Sequence, residues 1–430
     1  MEESLLASRQ AALEILTACL DKGQPLDDAL ARHAAFDGAD ARALAPRDRA
    51  FVRLLLATTL RRLGEIDEVL GLMVERPLAG ANAMGREVLR LGAAQLLFLG
   101  TPAHAAVDTS VRLIEQVRLP HLKGLANAVL RRVAREGVAL LGDRDPARLN
   151  TPRWLWDSWT ASYGEETTRA IAAAHLVEAP LDMTPRSDAM FWAGRLDGEL
   201  LPTGTIRRAA GGHVAELPGF AEGAWWVQDA AAALPVRLLG DMAGKRVADL
   251  CAAPGGKTMQ LCVADAQVTA VDVSNRRMIR LGENLTRMGF AAELVAADAA
   301  KWTPSERFDA ILLDAPCSGT GTLRRHPDIA WLKDEEDVAR LTLTQDRLLT
   351  HAVDLLKPGG VLIYAVCSLQ EDEGPARVAA LLGRRSDIRR LPVATTELPG
   401  LETAVTVDGD VRTLPSMSVD GFYIARLTVG

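Results

Sequence analysis

The sequence predicts a multidomain chain of mixed class, α followed by α/β. An all-α bundle (residues 1–140) precedes a linker with a small α+β subdomain (141–235) and a Rossmann-like, doubly wound α/β domain (236–430). Two observations support this assignment. Apolar residues recur at helical spacing through the first segment, and strand-like runs alternate with helical ones from residue 245 onward. At ~100–200 residues per domain, the length of 430 residues allows about two to four domains.

The pattern of residues 1–140 predicts a succession of helices. Its longest apolar stripe has the spacing i, i+3, i+4, i+8 and i+11, at Val52, Leu55, Leu56, Leu60 and Leu63. Shorter stripes occur at Leu13, Leu16 and Leu20, at Val107, Val111 and Ile114, and at Leu125, Val129 and Val133. Gly and Pro residues at 23–25, 76–77 and 100–102 mark breaks between helices. No strand-like alternation interrupts the pattern, which therefore predicts a helical bundle.

From residue 245 the pattern changes to short apolar runs of strand length. These runs are 247–251, 268–273, 292–297, 308–313 and 361–367, with helical segments at 276–288 and 334–356 and a closing strand at 422–427. The alternation is typical of a mostly parallel sheet, whose strands end along one edge where ligands bind. Residues 141–235 are turn-rich and mixed in pattern, so they predict a connecting segment and a small α+β piece.

Composition and charge exclude several classes of protein. Apolar residues are 48% and charged residues 24%, which are globular values, and no run approaches the ~20 apolar residues that span a bilayer. The net charge of −7 argues against a protein that wraps nucleic acid by bulk charge. The acidic start Met1-Glu2-Glu3-Ser4 and five scattered cysteines predict a cytoplasmic protein without a disulfide framework. We expect a monomer that does not contact membranes.

The segment 249–258, Asp-Leu-Cys-Ala-Ala-Pro-Gly-Gly-Lys-Thr, follows a predicted strand and opens a helix. A Walker loop needs glycine where Cys251 stands, so a triphosphate-binding loop is disfavoured. Two further acids, Asp272 and Asp298, end the next two predicted strands, and a carboxylate in the place of Asp272 can bind ribose hydroxyls. Three acids at successive strand ends predict a site for a nucleoside-type cofactor.

Two cysteines end the next two strands of the predicted sheet. Cys317 lies in the segment 314–319, Asp-Ala-Pro-Cys-Ser-Gly, and Cys367 lies between Val366 and Ser368. The chain has no Cys-x-x-Cys and no nearby His pair, so we expect no metal. Two cysteines beside Asp314 at a cofactor edge indicate nucleophilic catalysis. Lys257 can lower a thiol pKa or neutralise substrate charge.

These motifs together resemble RNA cytosine-5 methyltransferases of the Nop2/Sun (Fmu) family. The catalytic-domain positions that carry the resemblance are 249–257, Asp272, Asp298, 314–319, 324–328 and 366–368. The helical segment is similar to the NusB-type domain of the branch that methylates bacterial 16S rRNA. That likeness rests on 47–49 and 127–132, and is extended by 217–220, 227–229 and 420–423. The sequence departs from the family pattern at Val366, where threonine is usual, and at 183–187.

The resemblance implies a class I methyltransferase domain that moves a methyl group from S-adenosylmethionine to C5 of a cytosine in 16S rRNA, either naked or in an early small-subunit particle. It implies that Cys367 is the nucleophile, that Cys317 helps product release, and that Asp314 contacts the N3/N4 edge of the base. The implied cofactor site takes the methionine part at 251–257, the ribose at Asp272 and the adenine at Asp298. Its residues are Cys251, Ala252, Ala253, Pro254, Gly255, Gly256, Lys257, Asp272, Asp298 and Asp314.

Several alternatives remain open at this stage. DNA cytosine-5 methyltransferases place the nucleophile in a Pro-Cys motif like 316–317, and the residues alone do not separate the two cysteines. An amino-group methyltransferase is disfavoured, because such enzymes usually carry Asn/Asp-Pro-Pro-aromatic where this chain has 314–317. The same chemistry on tRNA or on another rRNA site also stays open, as does an inactive RNA-binding or transcription module.

Overall fold

The computed structural model describes residues 2–36, 43–211 and 213–430. It divides into two compact units, Met1–Val177 with Arg325–Lys333, and Glu178–Arg324 with Asp334–Gly430. Residues 141–177, predicted as part of a linker, thus belong to the first compact unit. The domain boundaries near 140 and 235 stay predictions, because compact packing does not show which segments fold on their own.

The elements of the first unit that the structure describes are helices, as the apolar stripes predict. They are α1 (Glu2–Leu20), α2 (Leu26–Arg32), α3 (Pro46–Arg61), α4 (Leu63–Gly71), α5 (Ala83–Leu97), α6 (Ala103–Gln116), α7 (Lys123–Leu141), α8 (Pro146–Leu149), α9 (Arg153–Tyr163) and α10 (Glu165–His175). The three predicted breaks all fall between helices. The apolar stripe of α3 is buried in the bundle core together with leucines of α1 and α5.

The second unit contains the predicted strands and several that the patterns missed. Its elements are β1 (Leu181–Pro185), α11 (Ala189–Arg195), β2 (Glu199–Leu200), β3 (Ile206–Arg208), β4 (Trp225–Val227), α12 (Leu234–Arg237), β5 (Arg246–Leu250), α13 (Gly256–Val263), β6 (Gln267–Asp272), α14 (Asn275–Met288), β7 (Glu293–Ala296), β8 (Phe308–Asp314), α16 (Glu335–Asp354), β9 (Leu356–Val366), α17 (Pro375–Arg384), β10 (Ile388–Arg390), β11 (Val411–Thr413) and β12 (Phe422–Val429). The short helix α15 (Ile329–Leu332) lies in the segment that belongs to the first unit.

The second unit has two sheets. The smaller is antiparallel, in the order β2-β3-β1-β4, and the larger has the order β10-β12-β9-β8-β5-β6-β7, with β11 paired to β12. Strands β5 to β9 are parallel, which confirms the predicted doubly wound arrangement. The closing strand β12 pairs antiparallel with β9, and β10 and β11 pair antiparallel with β12. The short strands β10 and β11 were not predicted, since three residues show no measurable period.

The parallel register aligns the carboxyl ends of the central strands. Leu250 of β5 lies opposite Val271 of β6 and Leu313 of β8, and Asp314 lies opposite Ala365 of β9. The segments that follow these strands therefore start side by side along one edge of the sheet. In open α/β sheets this edge is where ligands bind.

Candidate active site

The loop between β5 and α13 has a backbone conformation that would let a ligand approach its peptide groups closely. Cys251 (φ 63°) and Gly255 (φ 102°) both have positive φ. A Cβ atom at Gly255 would lie 2.9 Å from Cγ of Leu281, so the position accepts glycine alone without a shift of α14. Helix α13 starts directly afterwards at Gly256, and the first amides of a helix have no carbonyl partner within it.

The carboxylate of Asp272 holds this loop against the end of β6. Oδ2 accepts a hydrogen bond from the amide of Ala253 (3.2 Å), and Oδ1 accepts one from the amide of Ser274 (2.9 Å). Arg277 Nη1 lies 3.4 Å from Oδ2. A carboxylate offers about four lone-pair positions, so Asp272 keeps capacity to accept from further hydroxyls.

Asp298 lies on the loop after β7, next to the end of β6. Its Oδ1 accepts from the amide of Ala300 (3.0 Å), and Lys301 lies 3.6 Å from Oδ2. The side chain is about half exposed, at 46%. The structure therefore places Asp298 along the same edge as Asp272, in a more solvated position.

Asp249, near the end of β5, lies beneath this loop. Thr258 Oγ1 donates to Asp249 Oδ2 (2.6 Å), while Oδ1 has no hydrogen-bond partner among the residues that the structure describes. Full burial of the side chain raises the pKa of Asp249 to about 7. A buried acceptor of this kind fits a ligand that brings a hydrogen-bond donor, as the methionine amino group of S-adenosylmethionine does.

Lys257 and Asp314 form an ion pair across the edge. Nζ of Lys257, in the first turn of α13, lies 2.6 Å from Oδ2 of Asp314 at the end of β8. Burial lowers the pKa of Lys257, but the charge and hydrogen bond of Asp314 outweigh it, and the net direction is upward. The charge of Cys367 acts on Lys257 in the same direction, which places this cation beside the second cysteine.

The two predicted site cysteines lie together. Their Sγ atoms are 3.4 Å apart, although they are 50 positions apart in the chain. The hydrogen bond to Cys367 and burial raise the pKa of Cys317 well above its ordinary value, and the charges of Cys367 and Glu373 add to this. Cys317 is therefore held as a thiol next to the sulfur of Cys367.

The other cysteines have surroundings that keep them as thiols. Burial raises the pKa of Cys19 and of Cys251 to about 12, and that of Cys262 to about 11. This agrees with the interpretation of Cys19 and Cys262 as packing residues. Cys251 belongs to the loop after β5 through its backbone, and its thiol is not an activated one.

Val366, where the resembled family usually has threonine, points away from the nucleophile candidate. Its side chain is fully buried in an apolar cluster with Leu313 and Tyr364. Cys367 instead packs against the cluster of Ala365, on the opposite face of the sheet. A threonine hydroxyl at position 366 would therefore lie in this apolar cluster, against which Cys317 packs.

Three segments that carry the resemblance meet in a buried ion cluster. Nη2 of Arg324 lies 3.5 Å from Oδ2 of Asp229 and 3.6 Å from Oδ1 of Asp420. The backbone amide of Asp420 also donates to Asp229 Oδ1 (3.1 Å). This cluster joins β12 and the cysteine loop to the segment before α12, so these motif residues support the site without lining it.

Sequence reasoning gave no role to the polar residues directly behind the cysteines, although Ser318 and Ser368 lie in the quoted motifs. Glu373, Ser318, Ser368 and Gln345 are buried and hydrogen-bonded to one another. The acidic run Glu-Asp-Glu at 371–373 predicts a solvent-exposed turn. No periodic pattern indicates that one of its three residues is buried. The only available signal is its position six residues after Cys367.

In the part of the chain that the structure describes, no group of three or more His, Cys, Asp or Glu side chains is arranged to hold a metal ion. Within the same residues, none of the helices combines the length and apolar character that crossing a bilayer requires.

The chain is similar to known proteins over nearly its whole length. Residues 236–428 match the family described as 16S rRNA methyltransferase RsmB/F, and residues 6–135 match the NusB family. Ribosomal RNA small subunit methyltransferase B of Klebsiella pneumoniae is 34% identical over 436 residues, 97% of each chain. The protein of the same name from Vibrio cholerae is 35% identical over 455 residues, covering 98% of this chain and 97% of its own.

Solved structures agree with this fold. One structure superposes with a TM-score of 0.78 over 98% of both chains at 22% identity. NSun6 from Pyrococcus horikoshii, solved with SFG, superposes with a TM-score of 0.56 at 18% identity, over 65% of this chain and 98% of its own. At these identities the superpositions show the fold alone.

Proposed function

The chain belongs to the 16S rRNA methyltransferase RsmB/F family, whose members are S-adenosylmethionine-dependent enzymes, and we propose that it methylates C5 of one cytosine in 16S rRNA through a covalent bond from Cys367 to C6. The observation that carries the proposal is the pair of sulfurs 3.4 Å apart at the edge of the sheet. The Lys257–Asp314 ion pair completes the group of reactive side chains.

The residues around the loop after β5 fit the cofactor. The sharp turn at Gly255, the amides that open α13 and the unpartnered Oδ1 of buried Asp249 suit the methionine end, while Asp272 and Asp298 suit the nucleoside end. Bound S-adenosylmethionine supplies an electrophilic methyl group. The protein's part is to hold that group beside Asp314 and the two cysteines.

The reaction needs a nucleophile because C5 of cytosine is too weak to attack a sulfonium methyl group. Addition of the Cys367 thiolate to C6 turns C5 into an enamine carbon, and a proton delivered to N3 makes the addition easier. Lys257 Nζ donates a hydrogen bond to Oδ2 of Asp314 (2.6 Å), and we assign delivery of the N3 proton to this pair. After methyl transfer a water molecule takes the C5 proton, and the electron pair of the C5–H bond restores the C5–C6 double bond while Cys367 leaves C6 as a thiolate. N3 then returns its proton to the Lys257–Asp314 pair, which leaves the neutral methylated base.

The surroundings of the two cysteines support different roles for them. Cys317 has its pKa raised by its hydrogen bond to Cys367, by burial and by nearby negative charge, so it stays protonated. The charges of Cys367 and Lys257 interact, so this sulfur lies beside an ammonium group. We therefore assign attack to Cys367 and assistance in product release to Cys317.

Bisulfite sequencing of rRNA and tRNA tests the proposed function. In cells that lack the gene, a single 16S cytosine is expected to lose its protection, and the wild-type gene is expected to restore it. Loss of a tRNA site or of another rRNA site would keep the chemistry and overturn the proposed target. If no site changes and calorimetry detects no binding of S-adenosylmethionine, the chain is an inactive binding module and the proposal fails.

The helical unit carries a groove that suits an RNA backbone. It has a volume of about 760 Å³ and is lined by α6 and α7, with the basic residues Arg112, Arg131 and Arg135. Asp108 is the single acid among its lining residues and lies 3.8 Å from Arg112. We propose that this groove contacts phosphates of the 16S rRNA substrate, which accounts for basic residues on an acidic chain.

Removal of two groove cations is expected to weaken RNA binding. The double variant Arg131→Ala and Arg135→Ala should bind a 16S fragment at least about tenfold more weakly, and each lost phosphate contact should lower the salt slope by about 0.7–0.9. Arg153→Ala, on α9 outside the groove and 86% exposed, is the matched control. Equal affinities and equal salt slopes for all three proteins, measured by filter binding, would show that the groove does not contact RNA.

A further inference from the structure

Glu373 is a buried carboxylate that the reaction scheme above does not use. Its side chain is fully buried, on the turn between β9 and α17. It accepts four hydrogen bonds, from the amide of Ser318 (2.8 Å), the hydroxyls of Ser318 and Ser368 (2.5 Å each) and the amide group of Gln345 (3.0 Å). A carboxylate is buried away from water only where hydrogen-bond donors replace its hydration, and four donors do so here.

The donors to Glu373 identify what it holds. Ser318 directly follows Cys317, and Ser368 directly follows Cys367. The two cysteine loops belong to adjacent strands, and Glu373 Oε2 binds the hydroxyl of each serine at once. One carboxylate therefore spans the two loops that carry the reactive sulfurs.

Further contacts lock the same two loops together. The amide of Gly321 donates to the carbonyl of Cys367 (3.0 Å), and the amide of Leu369 donates to Thr320 Oγ1 (3.0 Å). Gln345 of α16 also donates to the carbonyl of Pro316 (3.0 Å), the residue before Cys317. The spacing of the sulfurs thus depends on a network in which the carboxylate of Glu373 accepts four hydrogen bonds.

Only a carboxylate satisfies this network. All four partners of Glu373 donate, and an ionised carboxylate is an acceptor at both oxygens. Glutamine has nearly the same shape, but its NH₂ group would face a donor at one of the two positions. The negative charge of Glu373 also acts on Cys317, whose pKa it raises in addition to the hydrogen bond from Cys367 and burial.

We propose that Glu373 is a positioning residue that sets the distance between Cys317 and Cys367 and keeps their roles distinct. The sorting of roles rests on the proposed function, in which Cys367 attacks and Cys317 assists release. The negative charge lies behind Cys317, while the ammonium of Lys257 lies beside Cys367. Glu373 and Lys257 therefore polarise the two sulfurs in opposite directions.

Alkylation of the cysteines in the Glu373→Gln variant tests the proposed positioning role without requiring enzyme activity. Loss of the negative charge removes one of the causes that raise the pKa of Cys317, so its alkylation by iodoacetamide at pH 8 should be several-fold faster than in the wild type, with the pH midpoint moved downward. Mass spectrometry at low conversion reports each cysteine separately. Cys19, buried in the first unit, should react as slowly as in the wild type, whereas general unfolding would expose it as well.

Methyl transfer by the same variant gives a second readout. Because Glu373 does not contact the loop after β5, kcat should fall about 10- to 100-fold while KM for S-adenosylmethionine changes by less than about threefold. Asp410→Asn is the matched control, since Asp410 is a buried carboxylate of the same unit that binds Tyr423 and Arg390 and no cysteine loop. It should keep both the wild-type kcat and the wild-type alkylation profile.

The outcomes separate this proposal from the proposed function. Wild-type kcat and an unchanged Cys317 profile in folded Glu373→Gln would overturn the positioning role. An altered Cys317 profile in Glu373→Gln, together with a wild-type protein that methylates no RNA, would keep the positioning role and overturn the proposed function. If Glu373→Gln does not fold, Ser368→Ala removes one tie and leaves the charge, and an unchanged kcat in that variant would overturn the proposal.

Discussion

Cys367→Ala is expected to abolish methyl transfer, with a loss of at least about 10³-fold in kcat, because no other group can make C5 nucleophilic. Cys317 is 3.4 Å away, but its raised pKa leaves it protonated, so it is a poor substitute for the missing thiolate. Transfer of a labelled methyl group to 16S rRNA measures the loss. The cofactor residues do not depend on this sulfur, so binding of S-adenosylmethionine should stay within about twofold of the wild type.

Cys262→Ala is the control for this experiment. Cys262 lies on α13 in the same unit, and burial keeps it as a thiol, so its removal should leave kcat unchanged. If the Cys367→Ala protein methylates RNA at the wild-type rate, the assigned mechanism, attack by Cys367 on C6, is wrong. Loss of cofactor binding together with activity would instead indicate a folding defect, which thermal unfolding would reveal.

Cys317→Ala is expected to trap a covalent complex between protein and RNA. In the proposed scheme Cys367 still attacks C6, but without the neighbouring thiol the Cys367–C6 bond breaks slowly and the adduct accumulates. A denaturing gel with labelled RNA should show a band of combined mass in this variant, and the double variant Cys317→Ala, Cys367→Ala should lack it. The band should carry the added methyl group, because release and not transfer is blocked.

The same gel decides between the two possible assignments of the cysteines. An adduct in Cys367→Ala and none in Cys317→Ala would reverse their roles, as in enzymes whose nucleophile follows a proline. Adducts in neither variant, with methylation intact in both, would exclude a covalent route through these sulfurs. Cys262→Ala again serves as the control, since it should give neither an adduct nor a rate change.

Much of the fold was predictable because the spacing of apolar residues along the chain indicates helices and strands. The stripe through Val52 and Leu60 marks a helix since residues three and four apart share one face, and α3 buries that face. The runs before Asp272 and Asp314 mark parallel strands because both faces of such strands are buried. The short strands β2, β3, β10 and β11 were not predicted, because two or three residues form strands only through their neighbours.

Part of the candidate site was likewise predictable from the sequence, and part of it was not. Residue types and strand ends were enough to select Asp272, Asp298, Asp314 and the two cysteines, since parallel strands bring their carboxyl ends to one edge. The ion pair of Lys257 with Asp314 and the buried state of Asp249 were not predictable, because they depend on side-chain distances across the sheet.

The sequence by itself determined the class of the domains, the strand ends that carry the candidate site residues, and the family that the chain resembles. Only the tertiary structure decided that Cys317 and Cys367, 50 positions apart, lie with sulfurs 3.4 Å from each other, and that Glu373 lies buried behind them. The physical reason is that periodicity reports which face of an element is buried. The charge that a buried group meets comes from segments distant in the chain, and only folding brings those segments together.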